Sequence, residues 1–82
     1  MRVIKYFYSE NCGFCEQMKP RITNLIRNGW DIEVFDVDEA EDISDIYNIE
    51  EMPTFVLEVD AEEVDRWVGV TEERIIQQKL MR

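Results

Sequence analysis

The segment SENCGFCE, residues 9–16, contains both cysteines of the chain and lies between an apolar run and a helical pattern. Cys12 and Cys15 are three positions apart. On one helical turn, this spacing brings two Cα atoms within the about 4.4 to 6.8 Å that a disulfide requires. The chain has no His and no Gly-rich phosphate loop, so the segment predicts redox chemistry.

The two thiols are predicted to have different roles. Cys12 falls at the first turn of the predicted helix, where unpaired amide groups and the helix dipole favour a thiolate, against the weaker, solvent-screened effect of Glu10 and Glu16. Cys15 lies one turn deeper and should be the more buried thiol. We therefore expect Cys12 to attack a partner's disulfide and Cys15 to resolve the mixed disulfide.

Two other interpretations of the cysteine pair stay open. Free cysteines are often small buried core residues, although a polar loop-to-helix junction is an unusual place for them. Cys12 and Cys15 could also supply half of a zinc site, but the chain has no second cysteine pair, so the other ligands would be carboxylates or come from a second chain. We expect no metal and no cofactor.

The sequence on either side of the segment predicts a strand and a helix. Residues 2–8 are rich in β-branched and aromatic side chains and predict a buried strand. Residues after the segment repeat apolar side chains mostly at spacings of three and four, which predicts a helix of about four turns capped by Ser9 or Asn11. The apolar stripe of this helix comprises Phe14, Met18, Ile22, Leu25 and Ile26.

The middle of the chain predicts a second strand and a short helix. Residues 30–38 alternate between apolar and polar side chains, and a helical connection would make this strand parallel to the first. Residues 39–48 predict an acidic helix whose inward side is Ile43, Ile46 and Tyr47.

The last part of the chain predicts a hairpin and a helix. Residues 54–59 and 64–68 are two strands spaced as a hairpin. Thr71 should cap a final helix. This helix docks on the sheet through Ile75, Ile76 and Leu80.

The predicted architecture is α/β, with element order β-α-β-α-β-β-α, a four-stranded mixed sheet and helices on both faces. Residues 1–82 are long enough for a single domain only. The formal net charge of -10 makes nucleic acids and anionic membrane surfaces poor partners. With no secretory signal pattern and only 2 cysteines, we expect a cytoplasmic monomer.

Four features of the sequence resemble the thioredoxin/glutaredoxin superfamily. Cys12-Gly13-Phe14-Cys15 follows the first core strand, where that superfamily has its redox motif. Pro20 stands where thioredoxins have a proline within the helix. Met52-Pro53-Thr54 resembles the Ile/Met-Pro-Thr whose proline is cis, and Gly69 matches the glycine after the last strand. The resemblance covers nearly the whole chain and implies a thioredoxin-like fold.

The resemblance also implies a function and a set of site residues. Cys12 and Cys15 would form the redox disulfide of a protein-disulfide reductase. The clients would be protein disulfides, among which ribonucleotide reductase is one candidate, and the electron donor a flavoprotein thioredoxin reductase or glutathione. Phe14 could contact a partner, or it could be the first core-facing residue of the apolar stripe of the helix. The substrate-binding residues implied are Gly13, Phe14, Met52, Pro53 and Gly69.

The chain departs from the superfamily patterns at several positions. Asn11 stands where thioredoxins usually have Trp before the first cysteine. The buried Asp that accepts a proton in thioredoxins would fall near Tyr6. Proton transfer to and from Cys15 would then use water or Glu16. Glutaredoxins typically have Cys-Pro-Tyr-Cys and a Gly-Gly pair, whereas this chain has a single Gly69. The alternatives are therefore a glutathione-dependent glutaredoxin and a non-catalytic binding module of the same fold.

Overall fold

The computed structural model describes residues 1–81 as one mixed sheet flanked by three helices. The sheet has the strand order β2-β1-β3-β4, in which β1 and β2 are parallel and the other pairs are antiparallel. The predicted element order and mixed sheet are confirmed. In chain order the elements are β1 (Arg2–Tyr8), α1 (Gly13–Arg27), β2 (Ile32–Asp36), α2 (Glu41–Ile46), β3 (Thr54–Val59), β4 (Glu62–Val68) and α3 (Glu73–Leu80).

One face of the sheet carries the main hydrophobic core, covered by α1 and α3. Alternation along β1 turns Ile4 and Tyr6 toward this face. Trp30 and Trp67 pack against this core as partly buried residues. The buried core residues are Ile4, Tyr6, Met18, Ile22, Leu25, Ile32, Phe55, Leu57, Ile76 and Leu80.

The inward stripe of α1 differs from the predicted one at both ends. Phe14 is 63% exposed and Ile26 43% exposed, so neither belongs to it. Cys15 is only 1% exposed and occupies the inward position of the first turn. The buried side of α1 is formed by Cys15, Met18, Ile22 and Leu25, which recur every three or four residues.

The predicted inward side of α2 is correct at Tyr47 and wrong at Ile43 and Ile46. Ile46 is 76% exposed and Ile43 36% exposed. The buried residue of this six-residue helix is Ser44, whose hydroxyl donates to the Glu41 carbonyl at 3.0 Å. Tyr47 follows the helix and packs edge-on against Phe7, with ring centroids 5.4 Å apart. Only Tyr47 of the predicted inward set makes such a contact.

The start of α3 also differs from the prediction. Glu72 is the N-cap residue and its side chain makes no capping hydrogen bond. The Thr71 hydroxyl instead donates to the Gly69 carbonyl at 2.9 Å and accepts from Trp67 Nε1 at 3.0 Å. Thr71 therefore fixes the turn between β4 and α3 rather than capping the helix. Within residues 1–81, no helix has the length and apolar character needed to cross a membrane.

Candidate active site

Cys12 itself is the N-cap residue of α1. Its sulfur accepts a hydrogen bond from the Cys15 backbone N–H at 3.2 Å. Neither predicted cap, Ser9 or Asn11, is the N-cap residue. The Ser9 hydroxyl instead donates to Asp38 Oδ2 at 3.0 Å and accepts from the Asn11 N–H at 3.2 Å. The Ser9 carbonyl also accepts from the Cys12 N–H. Ser9 thus anchors the loop, and the Cys12 sulfur is left to cap the helix.

The two cysteines differ in exposure, as the predicted division of roles requires. Both are free thiols, with Cys12 half-buried and Cys15 buried. Burial is the main reason that the pKa of Cys15 is raised to about 11, and its interaction with the Cys12 sulfur adds to the shift. Cys15 therefore stays protonated at neutral pH in the reduced protein. The attacking and resolving roles stay predictions.

The loop before β3 forms the wall facing Cys12. The Met52 carbonyl oxygen lies 3.5 Å from Cys12 Sγ, and the Met52–Pro53 peptide is cis, as the resemblance implied. The Gly69 N–H donates to the Pro53 carbonyl at 2.9 Å. Gly69 has φ +112°, a conformation that a side chain would strain. The Met52–Pro53 loop therefore lies between Cys12, next to Met52, and Gly69, which bonds to Pro53.

The predicted substrate-binding residues are not equally accessible. Phe14 is 63% exposed beside the two cysteines, and a Cβ added to Gly13 would meet open space. Met52 is half-buried, whereas Pro53 is fully buried. Phe14 is thus free to contact a partner, and Pro53 can affect binding only through the position of its neighbours.

The turn after β4 is tied to α1, which carries Cys15. The Thr71 N–H donates to Met18 Sδ at 3.4 Å, and Arg21 donates to the Thr71 carbonyl at 3.0 Å. These contacts hold Gly69 and the first turns of α1 in one arrangement.

The comparisons with known proteins agree with this geometry. The sequence model of the thioredoxin family, described simply as thioredoxin, matches residues 1–82. The chain belongs to the thioredoxin family. It is 38% identical over 65 residues to mitochondrial thioredoxin-3 of Saccharomyces cerevisiae, an alignment that covers 77% of this chain and 51% of the yeast protein. It is 31% identical over 72 residues to an H-type thioredoxin of Fagopyrum esculentum, covering 85% of this chain and 62% of that protein.

Solved thioredoxin structures share the fold. The structure of Fasciola hepatica thioredoxin superposes with a TM-score of 0.84 and 29% identity, covering 95% of this chain and 77% of that one. The oxidised mitochondrial thioredoxin 3 of Saccharomyces cerevisiae superposes with a TM-score of 0.81 and 30% identity, covering 96% of this chain and 76% of that one. The thioredoxin-like fold is confirmed. The chain spans 51% to 62% of the two curated thioredoxins compared above.

Charged groups near the cysteines of this thioredoxin-family chain are paired with one another. Lys19 Nζ lies 3.5 Å from a carboxylate oxygen of Glu10 and 3.5 Å from one of Glu16. Glu16 is 63% exposed and engaged with Lys19 at the surface, whereas Cys15 is buried. The prediction that Glu16 serves Cys15 thus has no support in the geometry.

One polar group near the buried thiol was not assigned a role by the sequence analysis. The Tyr6 hydroxyl is buried and has no hydrogen-bond partner among the described residues. Its location could have been predicted, because alternation along β1 puts Tyr6 on the same face as Ile4, toward α1. The sequence could not predict that the Tyr6 hydroxyl would lack a hydrogen-bond partner.

The described residues contain no group of three or more His, Cys, Asp or Glu side chains placed to hold a metal ion. A zinc ion bound by Cys12 and Cys15 would therefore need its remaining ligands from outside these residues.

Proposed function

We propose that this chain is a thiol–disulfide oxidoreductase that reduces protein disulfides by dithiol–disulfide exchange. The observation that carries the proposal is the pairing of a half-buried N-cap thiol, Cys12, with a buried thiol one turn behind it, Cys15. Membership of the thioredoxin family supports the same activity.

The first step uses Cys12. Its thiolate attacks one sulfur of the client's disulfide and forms a mixed disulfide, while the other client sulfur leaves with the bonding electron pair and takes a proton from solvent. The amide of Cys15, 3.2 Å from Cys12 Sγ, holds the attacking sulfur at the start of the helix.

The second step uses Cys15. It loses its proton and attacks Cys12 Sγ, so that the Cys12–Cys15 disulfide forms and the bond to the client breaks. The second client sulfur leaves with the electron pair and is protonated. The dithiol has then given two electrons to the client, which is released as a dithiol.

The client surface is proposed to include the exposed ring of Phe14 and the half-buried Met52. Phe14 offers an apolar contact beside the reactive sulfur, because 63% of it is exposed. Met52 lines the other side, with its carbonyl 3.5 Å from Cys12 Sγ. Gly13 leaves the backbone between them accessible.

The electron donor is proposed to be a flavoprotein reductase or another dithiol rather than glutathione. Glutathione carries a net negative charge, and the cation closest in sequence to the motif, Lys19, is already paired with Glu10 and Glu16. We further propose a ribonucleotide reductase as a client, which a pull-down would test. A cytoplasmic location would be tested by cell fractionation, and a monomeric state by light scattering.

Insulin-disulfide reduction tests the activity and separates the donors. The protein should reduce insulin when recharged by dithiothreitol or by a thioredoxin reductase with NADPH, and turn over much more slowly with glutathione and glutathione reductase. The reverse preference would support a glutathione-dependent glutaredoxin.

The same substitution at each thiol tests the two roles. Cys15→Ser should accumulate mixed disulfides with clients, because the resolving thiol is missing, whereas Cys12→Ser should accumulate none and be inactive. If Cys12→Ser instead keeps every protein complex that the wild type forms and the wild type reduces no disulfide, the chain is a binding module.

A further inference from the structure

Thr71, in the turn between β4 and α3, has all of its polar groups engaged. Its N–H donates to Met18 Sδ and its carbonyl accepts from Arg21. Its hydroxyl donates to the Gly69 carbonyl and accepts from Trp67 Nε1. Thr71 is only 9% exposed and is not the N-cap residue of α3, so its hydroxyl serves tertiary contacts rather than the helix. These hydrogen bonds fix Thr71 in one position relative to α1.

The contacts of Thr71 close a circuit that begins and ends on α1. Cys12 is the N-cap residue of this helix, and the Met52 carbonyl oxygen lies 3.5 Å from its sulfur. The next residue, Pro53, accepts from the Gly69 N–H at 2.9 Å, and the Gly69 carbonyl accepts from the Thr71 hydroxyl at 2.9 Å. The N–H and the carbonyl of Thr71 then bond back to α1. The position of Thr71 therefore restrains the loop that faces the reactive sulfur.

Gly69 is the residue of this circuit that most needs such a restraint. Glycine has more conformational freedom than any other residue, and Gly69 adopts φ +112°. A Cβ built on Gly69 would have no neighbour within 4 Å, so side-chain packing does not restrain this position. Its N–H bonds to Pro53 and its carbonyl to the Thr71 hydroxyl. Loss of the Thr71 hydroxyl would remove the second of these hydrogen bonds.

We propose that the Thr71 hydroxyl is a positioning group, which holds Gly69 and, through it, the Met52–Pro53 loop in the arrangement that a protein client binds. This inference rests on the proposed dithiol–disulfide exchange. A loop that is already ordered loses little conformational freedom when a client binds, so the complex with the client forms more readily. The role of Thr71 is to position the loop, and the bond exchange at the two sulfurs proceeds as described above.

Two substitutions separate the hydroxyl of Thr71 from its shape. Thr71→Val keeps the branched shape and removes the hydroxyl, whereas Thr71→Ser keeps the hydroxyl and removes the methyl group. Each reduced protein is mixed with insulin, and the loss of insulin disulfide in a single turnover is followed by acid quench and alkylation. Thr71→Val should reduce insulin on the order of fivefold more slowly, as expected for the loss of a neutral hydrogen bond. Thr71→Ser should keep the wild-type rate.

Alkylation of Cys12 by iodoacetamide tests whether the effect is confined to protein clients. This reagent is small and needs no client surface, and the Cys15 amide that bonds to Cys12 Sγ belongs to α1 itself. Thr71→Val should therefore keep the wild-type alkylation rate and its pH dependence. A similar loss with iodoacetamide would place the effect on the thiol and overturn the proposal. A wild-type insulin rate in Thr71→Val, or an equally slow Thr71→Ser, would overturn it as well.

Tyr47→Phe is the control for a general loss of stability. It removes one hydrogen bond, from the Tyr47 hydroxyl to Glu58, on the opposite face of the sheet. This variant should reduce insulin at the wild-type rate. Slowing as large as that of Thr71→Val would mean that any lost hydrogen bond weakens the activity, and would overturn the positioning role.

Hydrogen exchange of the Gly69 amide tests the restraint without any client. In Thr71→Val this amide should exchange on the order of tenfold faster, because its bond to Pro53 opens more often, while the amides of the central strand β3 keep their wild-type rates. Unchanged exchange at Gly69 would contradict the proposal. If Thr71→Val does not fold, Arg21→Met removes the donor to the Thr71 carbonyl and should show both effects. Wild-type behaviour of Arg21→Met would then overturn the proposal.

The failures are distinguishable. If the wild type reduces no insulin disulfide, the proposed dithiol function itself is wrong, whatever the exchange rate of Gly69. If the wild type reduces insulin and Thr71→Val does so equally fast, only the role of Thr71 is wrong.

Discussion

The two faces of the sheet are built from different chemistry. The face under α1 and α3 is packed with apolar side chains, apart from the hydroxyl of Tyr6. The opposite face, under the short α2, contains Phe7 and Val56 together with the charged pair Lys5 and Glu58, which have side-chain exposures of only 17% and 11%.

The polar groups of the α2 face satisfy one another. Lys5 Nζ lies 2.5 Å from Glu33 and 3.8 Å from Glu58, and the Tyr47 hydroxyl donates to Glu58 at 2.5 Å. On the face under α1, the buried hydroxyl of Tyr6 has no hydrogen-bond partner among the described residues. The α2 face therefore includes paired charged side chains, whereas the core under α1 and α3 consists mainly of apolar side chains.

The largest expected difference between the faces is in stability. Leu25→Ala removes a fully buried side chain of α1 and should lower the free energy of unfolding by about 2 to 5 kcal/mol. Ile46→Ala in α2 removes a side chain that is 76% exposed and should change the free energy of unfolding by less than about 0.5 kcal/mol. Urea denaturation followed by circular dichroism measures both, and equal losses would contradict the assigned burial.

The next effect is expected at Tyr47. Tyr47→Phe removes the hydrogen bond to Glu58 and should lower the free energy of unfolding at neutral pH by about 1 kcal/mol, measured by urea denaturation. The rate of insulin-disulfide reduction should not change.

The pH dependence of this variant has a definite sign. Burial first, then the hydrogen bond to Glu58, raises the pKa of Tyr47 from 10.0 to about 12. The contribution of the Tyr47 hydroxyl to the free energy of unfolding is complete below pH 10.0. It is lost as the pH rises toward about 12, because the unfolded state releases the phenol proton first. The stability gap between wild type and Tyr47→Phe should narrow over this interval, and a constant gap would show that the hydroxyl does not couple to Glu58.

The smallest effect is expected at the edge of the α2 face. Glu33 is 51% exposed, so Glu33→Gln should cost less than about 0.5 kcal/mol despite the short contact with Lys5. The loss should shrink further in high salt, because exposed ion pairs are screened. A larger, salt-independent loss would mean that the Lys5 network behaves as a buried one.

Elements with long, regular patterns were predicted well, and short or irregular ones were not. Fifteen residues of α1 repeat the apolar pattern over several turns, so Met18, Ile22 and Leu25 were placed correctly. The six residues of α2 offer less than two turns, and there the packing of Ser44 and Tyr47 decided the orientation against the more hydrophobic Ile46.

The helix caps were missed for a related reason. Ser9 and Thr71 have good capping side chains, but each is used in a tertiary contact, Ser9 with Asp38 and Thr71 with Trp67. Capping propensity describes an isolated helix end and does not include such competitors. Cys12 is instead the N-cap residue, and its sulfur accepts the capping hydrogen bond. Cysteine is not usually expected at this position.

The amino-acid sequence was enough to predict the strand and helix order and a reactive thiol pair, because both depend on spacings of a few residues. The sequence placed Met52 near the cysteines only through the family resemblance, and the 3.5 Å distance from the Met52 carbonyl to Cys12 Sγ and the unpaired hydroxyl of Tyr6 came from the folded chain. Local spacing restricts near neighbours alone, whereas sheet register and helix packing decide which distant side chains meet and which buried polar groups are left without a partner.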